Sequence, residues 1–281
     1  MLLEIAVGDA YGAGFEYVDA GAVAAGNDLS RYRQHPRHRG IWPGRYTDDT
    51  QMSVAVAEAV LSDEPWTPRL LAERFVRAYR RDPREGYASG FRGVLQVCRT
   101  GEELLRAVRG GSQKSGAAMR ATLCGAFPDA QEVERRCRIQ AEVTHGGAAV
   151  DAAVVAALMA YHGLYRVGPR VELRAFVSRL VPGNWSPWRG KVGSEGTSAV
   201  RAALTAVSDC DSLSSTLRAC VAFTGDVDTV AAIAMGAASA RDDVEADLPE
   251  CLVSSLECGR YGRPFLEELD RHLLARVRRF T

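Results

Sequence analysis

The residues from Ala148 to Leu164 are apolar nearly all round, with Asp151 as the one carboxylate among them. A helix without a polar face cannot lie on a surface, so this stretch predicts a central buried helix around which everything else packs. The longest uninterrupted apolar runs, Ala152–Tyr161 and Val230–Ala238, are about half the length a bilayer span requires and belong to a core. No alternating run enriched in β-branched residues is long enough to argue for a sheet. The expected fold is therefore all-α, a compact multi-helix bundle forming a single domain over residues 1–281, with no internal repeat, low-complexity tract or linker.

Two further helices are legible from spacing. Met52, Ala55, Val56, Ala59 and Val60 recur at helical intervals after Thr50, and Ser62-Asp63-Glu64-Pro65 closes the segment. Another begins near Pro68, carries Leu70, Leu71, Phe75, Val76 and Tyr79 on one face, and ends at Asp82-Pro83. Ala20–Tyr46, Arg81–Phe91, Gly110–Gly116 and Val181–Gly196 read as loops, where substrate contacts usually sit. Lys plus Arg equals Asp plus Glu at 35 each, so no overall charge favours nucleic acid or a membrane. Seven scattered cysteines without a C-x-x-C pair, and a first segment lacking a basic n-region, fit a reduced, cytoplasmic protein.

Three acidic segments carry the chemistry. Tyr46-Thr47-Asp48-Asp49-Thr50-Gln51 sets two adjacent carboxylates between hydroxyls at a helix start. Oxygen-only donors of this kind suit hard cations such as Mg²⁺, Mn²⁺ or Ca²⁺, although helix capping is the commoner use of such residues. Gly225-Asp226-Val227-Asp228-Thr229 repeats the pattern before another apolar helix, and two such helix starts could converge on a pair of cations. Gly8-Asp9-Ala10-Tyr11-Gly12-Ala13-Gly14-Phe15-Glu16 is glycine-rich but is neither a P-loop nor a dinucleotide fingerprint; its glycines could serve close helix packing, and Glu16 is a candidate acid or base.

These segments, in this order, resemble the ADP-ribosylglycohydrolase family. Asp82-Pro83-Arg84-Glu85-Gly86-Tyr87, Ser115-Gly116-Ala117-Ala118-Met119-Arg120 and Thr144-His145 extend the resemblance over nearly the whole chain. It implies an all-α enzyme with a binuclear Mg²⁺ or Mn²⁺ centre at helix N-termini, held by Thr47, Asp48, Asp49, Asp226, Asp228 and Thr229. It implies catalytic roles for Glu16, Asp49 and Asp226. It also implies substrate contacts at Asp9, Gly86, Tyr87, Ser115, Gly116, Ala117, Met119 and His145. The implied substrate is an ADP-ribosylated protein or nucleic acid and the product ADP-ribose. The chain departs from the family's usual pattern at Thr224, where glycine is usual, at Val227 between the aspartates, and in the loop before Ser115.

The chemistry is coherent with these residues. Breaking a ribosyl bond builds oxocarbenium-like charge, which nearby carboxylates stabilise. Two readings from other classes use the same residues: an ADP-ribose-binding module without turnover, and a helical metal-dependent nucleotide phosphohydrolase. Arg31–Arg39 is locally basic around Tyr32, which suits either phosphate binding or a solvated loop. His162 and Asp151 read as core residues that must find partners, and Trp185 as a loop anchor.

Overall fold

The computed structural model describes residues 1–62 and 64–280, so Asp63 of the segment closing the Met52 helix lies outside the described residues. Fourteen α-helices are present among the described residues. In order they are α1 (Leu2–Gly12), α2 (Ala20–Gly26), α3 (Asp48–Leu61), α4 (Pro68–Arg81), α5 (Ser89–Val97), α6 (Gly101–Ala107), α7 (Ala130–Glu142), α8 (Ala148–Leu164), α9 (Leu173–Leu180), α10 (Gly196–Asp209), α11 (Leu213–Ala222), α12 (Val227–Ala238), α13 (Glu250–Ser255) and α14 (Arg263–Val277). Strands are absent among the described residues; only isolated bridges tie loops together. The fold is all-α, as the absence of any alternating pattern requires.

Helices α8 and α12 form the centre. Ala152 to Ala160 of α8 and every residue of α12 are buried, because neither helix offers a polar face to water. Around them pack α1, α7, α10 and α11, with α3, α4 and α14 completing the apolar core. Small residues let the axes approach. A Cβ added at Gly12 would lie 2.5 Å from Asp228 Cα, so α1 and α12 can touch only where α1 lacks a side chain. That contact fixes where the start of α12 stands relative to α1. Asp151 is partly buried and pairs with Arg138 at 3.0 Å, and His162 is buried against Arg241, whose Nη1 donates to its Nδ1 at 2.9 Å.

Two segments read as loops contain helices. Ala20–Gly26 is a seven-residue helix started by Asp19, whose carboxylate accepts from Gly21 N; two turns are too short for a periodic pattern. Helix α5 begins at Ser89, inside the stretch expected to be loop. Trp185 does anchor its loop: it is buried and its indole N–H donates to Val181 O at 3.0 Å. Among the described residues, no helix is long and apolar enough to cross a membrane.

Candidate active site

The N-termini of α3 and α12 meet at the floor of a cleft of about 760 Å³. Neither helix uses its acidic residues as caps. Thr47 is the N-cap of α3, and Asp226 at the start of α12 makes no side-chain capping bond. Of the remaining first-turn donors of α3, Asp48 N bonds Glu85 O at 3.0 Å and two others are satisfied from α1. Asp9, fully buried, accepts from Thr47 N at 2.9 Å and Thr50 N at 3.0 Å, and from the hydroxyls of Thr47 at 2.8 Å and Thr50 at 2.6 Å. Those two amides are among the four that a helix start leaves without partners. One remote carboxylate thus caps α3 and leaves Asp48 and Asp49 free to face the cleft.

The two acidic motifs converge. Asp48 and Asp49 of the first motif and Asp226, Asp228 and Thr229 of the second line the same cleft, and the Ser115 hydroxyl donates to Asp226 at 3.1 Å. Carboxylate oxygens of Glu16, Asp226 and Asp228 lie within 4.8 Å of one another. At an effective dielectric constant of about 20, each ionised pair at that separation repels by about 3 kcal/mol. A helix N-terminus returns only about 0.3–1 kcal/mol per carboxylate. Repulsion therefore wins, and full ionisation of the cluster requires bound positive charge.

Protonation follows the same logic. Burial, and then neighbouring carboxylates, hold Asp48, Asp49 and Asp228 well above the usual carboxylate range. Burial and then the Asp226 charge push Glu16 up to about 7; burial raises Asp226 to about 6, against relief from its hydrogen bond with Ser115. Asp49 Oδ1 is buried without a hydrogen-bond partner. An unpartnered buried carboxylate oxygen among hard oxygen donors is what a divalent-cation site presents.

Glu16 is half-buried and held from behind. His35 Nδ1 accepts the backbone N–H of Arg37 and His38 at 3.0 and 2.8 Å, so Nε2 carries the ring hydrogen and donates it to Glu16 O at 2.7 Å. Arg37 donates to Tyr17 O at 2.9 Å. The basic stretch is therefore bolted to the segment that carries Glu16, with His35 itself buried. Beyond the floor, Gly86, Ser115, Gly116, Met119 and His145 line the cleft. At Gly86, φ is +105°, and an added Cβ would overlap Asp48 Oδ1. The backbone there comes close enough to shape the carboxylate's position.

Three residues expected at the substrate stand behind the cleft wall. Asp9 is the α3 cap just described. Tyr87 is buried, and its hydroxyl donates to Gln51 Oε1 at 2.6 Å. Ala117 is buried, and its carbonyl accepts from Gln140 Nε2 at 3.1 Å. Thr47, expected as a ligand, is also absent from the lining; its hydroxyl hydrogen goes to Asp9 and its oxygen accepts from Asp49 N at 3.4 Å. Sequence reasoning missed Tyr17, Phe91, Val94, Arg109 and Lys114, all of which line the cleft. The cations in the glycine-rich stretch Arg109–Lys114 were a readable signal for an anionic substrate end.

The whole architecture has known counterparts. The family model described as ADP-ribosylglycohydrolase matches residues 1–279. The chain belongs to the ADP-ribosylglycohydrolase family. ADP-ribosylhydrolase ARH3 of Homo sapiens is 36% identical over 108 residues, which is 36% of this chain and 30% of that protein. The Mus musculus ARH3 is 34% identical over 131 residues, 43% of this chain and 35% of that protein, so the aligned stretch spans about a third of these relatives. The ADP-ribosyl-[dinitrogen reductase] glycohydrolase of Rhodospirillum rubrum is 26% identical over 261 residues, covering 91% of this chain and 88% of its own. A solved structure described as an ADP-ribosylglycohydrolase-related protein complex superposes with a TM-score of 0.75 at 26% identity, covering 100% of this chain and 96% of that one.

Proposed function

We propose that this chain hydrolyses the glycosidic bond between ADP-ribose and a modified acceptor, a protein side chain such as arginine or serine or a nucleobase, with two divalent cations, Mg²⁺ or Mn²⁺. The observation that carries this reading is the convergence of two distant acidic motifs on one cleft floor, with Asp49 Oδ1 buried and unpartnered. The donor set fits hard cations: Asp48, Asp49, Asp226, Asp228 and Thr229 would hold them, with Thr47 supporting Asp49 from behind the lining. Bound there, the cations would supply positive charge that orients ribose hydroxyls and acidifies a water.

The chain's own residues supply the rest. The cleft carries both signs of charge, with carboxylates at the floor and Lys114 and Arg109 also in its lining. A substrate that develops positive charge at a sugar and carries a diphosphate matches a lining with both signs of charge. Phe91, Val94 and Met119 offer an apolar wall against which a base packs. As the bond from the anomeric carbon to the acceptor atom breaks, its electron pair leaves with the acceptor. Glu16, half-buried beside the cluster, gives a proton to that atom, and a carboxylate of the cluster takes one from the attacking water. The water oxygen ends on the anomeric carbon, and ADP-ribose is released.

The test is product identity. Arginine-, serine- and nucleobase-linked ADP-ribose are offered with Mg²⁺ or Mn²⁺ and the products separated by chromatography. Free ADP-ribose from at least one substrate is expected. Nucleoside monophosphate or inorganic phosphate instead would make the chain a phosphohydrolase, and binding without any release would make it a reader of ADP-ribose.

A further inference from the structure

Arg120 is the largest fully buried side chain of the protein, and no carboxylate pairs with it among the described residues. A buried guanidinium without a counter-ion is expensive, so its hydrogen bonds show what holds it there. Its Nε donates to Gln140 Oε1 at 2.8 Å, and Nη2 donates to Gln140 O at 3.2 Å and to Thr144 Oγ1 at 2.8 Å. The face of the group lies over the Phe75 ring, 4.3 Å from its centroid. Each of its two polar partners leads to the cleft. Gln140 Nε2 donates onward to Ala117 O, in the turn that carries Ser115 and Gly116. Thr144 Oγ1 lies 2.6 Å from His145 Nδ1.

The second route determines a hydrogen position. Guanidinium only donates, and a hydroxyl has one hydrogen. With one Thr144 lone pair taken by Arg120, sending the hydroxyl hydrogen to His145 Nδ1 pairs both groups and leaves only the ring Nε2–H without a partner. The opposite arrangement, with the hydrogen on Nδ1, would strand the Thr144 hydroxyl hydrogen, for which no other acceptor lies within reach. His145 Nε2 is itself buried without a partner, and the residue lines the cleft beside Gly116. We infer that Arg120 is a positioning residue that acts through Thr144 to hold His145 as the neutral tautomer with hydrogen on Nε2, making it a hydrogen-bond donor to an acceptor oxygen or nitrogen of the ligand.

Burial and then the Arg120 charge lower His145 to about 3, so the ring stays neutral throughout the working range. A neutral Nε2–H donor selects for acceptor atoms: it takes a phosphate oxygen, a ribose oxygen or an unprotonated ring nitrogen, and leaves a ligand amine or amide N–H unpaired. The same guanidinium, through Gln140, holds the turn that carries Gly116, which packs beside the His145 ring. One buried cation thereby fixes these two neighbouring parts of the cleft lining relative to each other. The recognition role rests on the cleft being the ADP-ribose site; the tautomer does not.

The experiment combines long-range ¹⁵N–¹H correlation spectra of the histidine rings with calorimetric titration of ADP-ribose into the parent protein, Thr144→Val and Thr144→Ser. A His145→Gln spectrum assigns the signal among the five histidines. In the parent, Nε2 is expected to be pyrrole-like and Nδ1 pyridine-like. Thr144→Val removes the hydroxyl without changing side-chain shape, so the two tautomers mix and ADP-ribose binding weakens about tenfold, the effect of one lost hydrogen bond. Thr144→Ser keeps the hydroxyl and restores both readouts. Hydrogen on Nδ1 in the parent would overturn the inference, as would a Thr144→Val protein with unchanged spectrum and affinity. A parent protein that fails to bind ADP-ribose would remove the functional reading and the recognition role together, while the spectrum still decides the tautomer.

Discussion

Replacing Asp9 separates a capping role from a substrate-binding one. In Asp9→Ala, Thr47 N and Thr50 N lose their acceptor in a fully buried position. Each stranded amide costs about 1–3 kcal/mol, while the two threonine hydroxyls can rotate to other acceptors; a loss of about 4 kcal/mol is expected. That is a large share of the roughly 5–15 kcal/mol that holds a typical protein together. Asp9→Asn is different. Its amide oxygen can replace Oδ2, which receives both backbone N–H groups and Thr50 Oγ1, and its NH₂ then faces Thr47 Oγ1. The Thr47 hydroxyl turns its hydrogen toward Asp49 Oδ2, 3.3 Å away, so the cost is about 1 kcal/mol plus the lost charge assistance. Urea denaturation in chelator, comparing midpoints at constant m-value, measures both. The reasoning fails if both variants stay within about 1 kcal/mol of the parent while ADP-ribose affinity collapses, because Asp9 would then be a ligand contact.

Other perturbations probe the scaffold. Thr224 sits at φ +62°, a left-handed conformation that a β-branched residue adopts only under strain, so Thr224→Gly is expected to stabilise the protein by about 1 kcal/mol, read as a higher urea midpoint. His162, buried beside Arg241, is lowered from 6.5 to about 4 by burial and then by that cation. Above its unfolded value it is neutral in both states. As pH falls through 6.5 the unfolded chain takes up a proton that the folded one refuses until about 4, so stability is lost across that window. Between pH 7 and pH 5 this amounts to about 2 kcal/mol, and the loss should shrink by that amount in His162→Gln when midpoints are compared at the two pH values.

How much the sequence disclosed differs by residue for physical reasons. Helices α3, α4, α8 and α12 were legible because each carries a long apolar pattern. The short α2 and the half-exposed α5 were not, because their order comes from tertiary contacts more than from periodicity. The acidic motifs were visible as chemistry, yet their spacing could not separate cation donors from caps. That distinction rests on Asp9, which was expected at the substrate because the family resemblance implied a contact there. Gly12, in turn, owes its smallness to Asp228 across a helix contact. Arg120 and Thr144 carried no local mark of their task, since a proton position is set by three side chains that meet only in the fold.

The most direct test of the central claim is ADP-ribose release by protein stripped of metal, with residual Mg and Mn measured by atomic spectroscopy, before and after stepwise addition of either cation. The stripped protein is expected to be silent, activity should return saturably with added cation, and Asp49→Asn should stay silent at the same concentrations with its helical circular dichroism intact. Undiminished release by the verified metal-free protein would contradict the account.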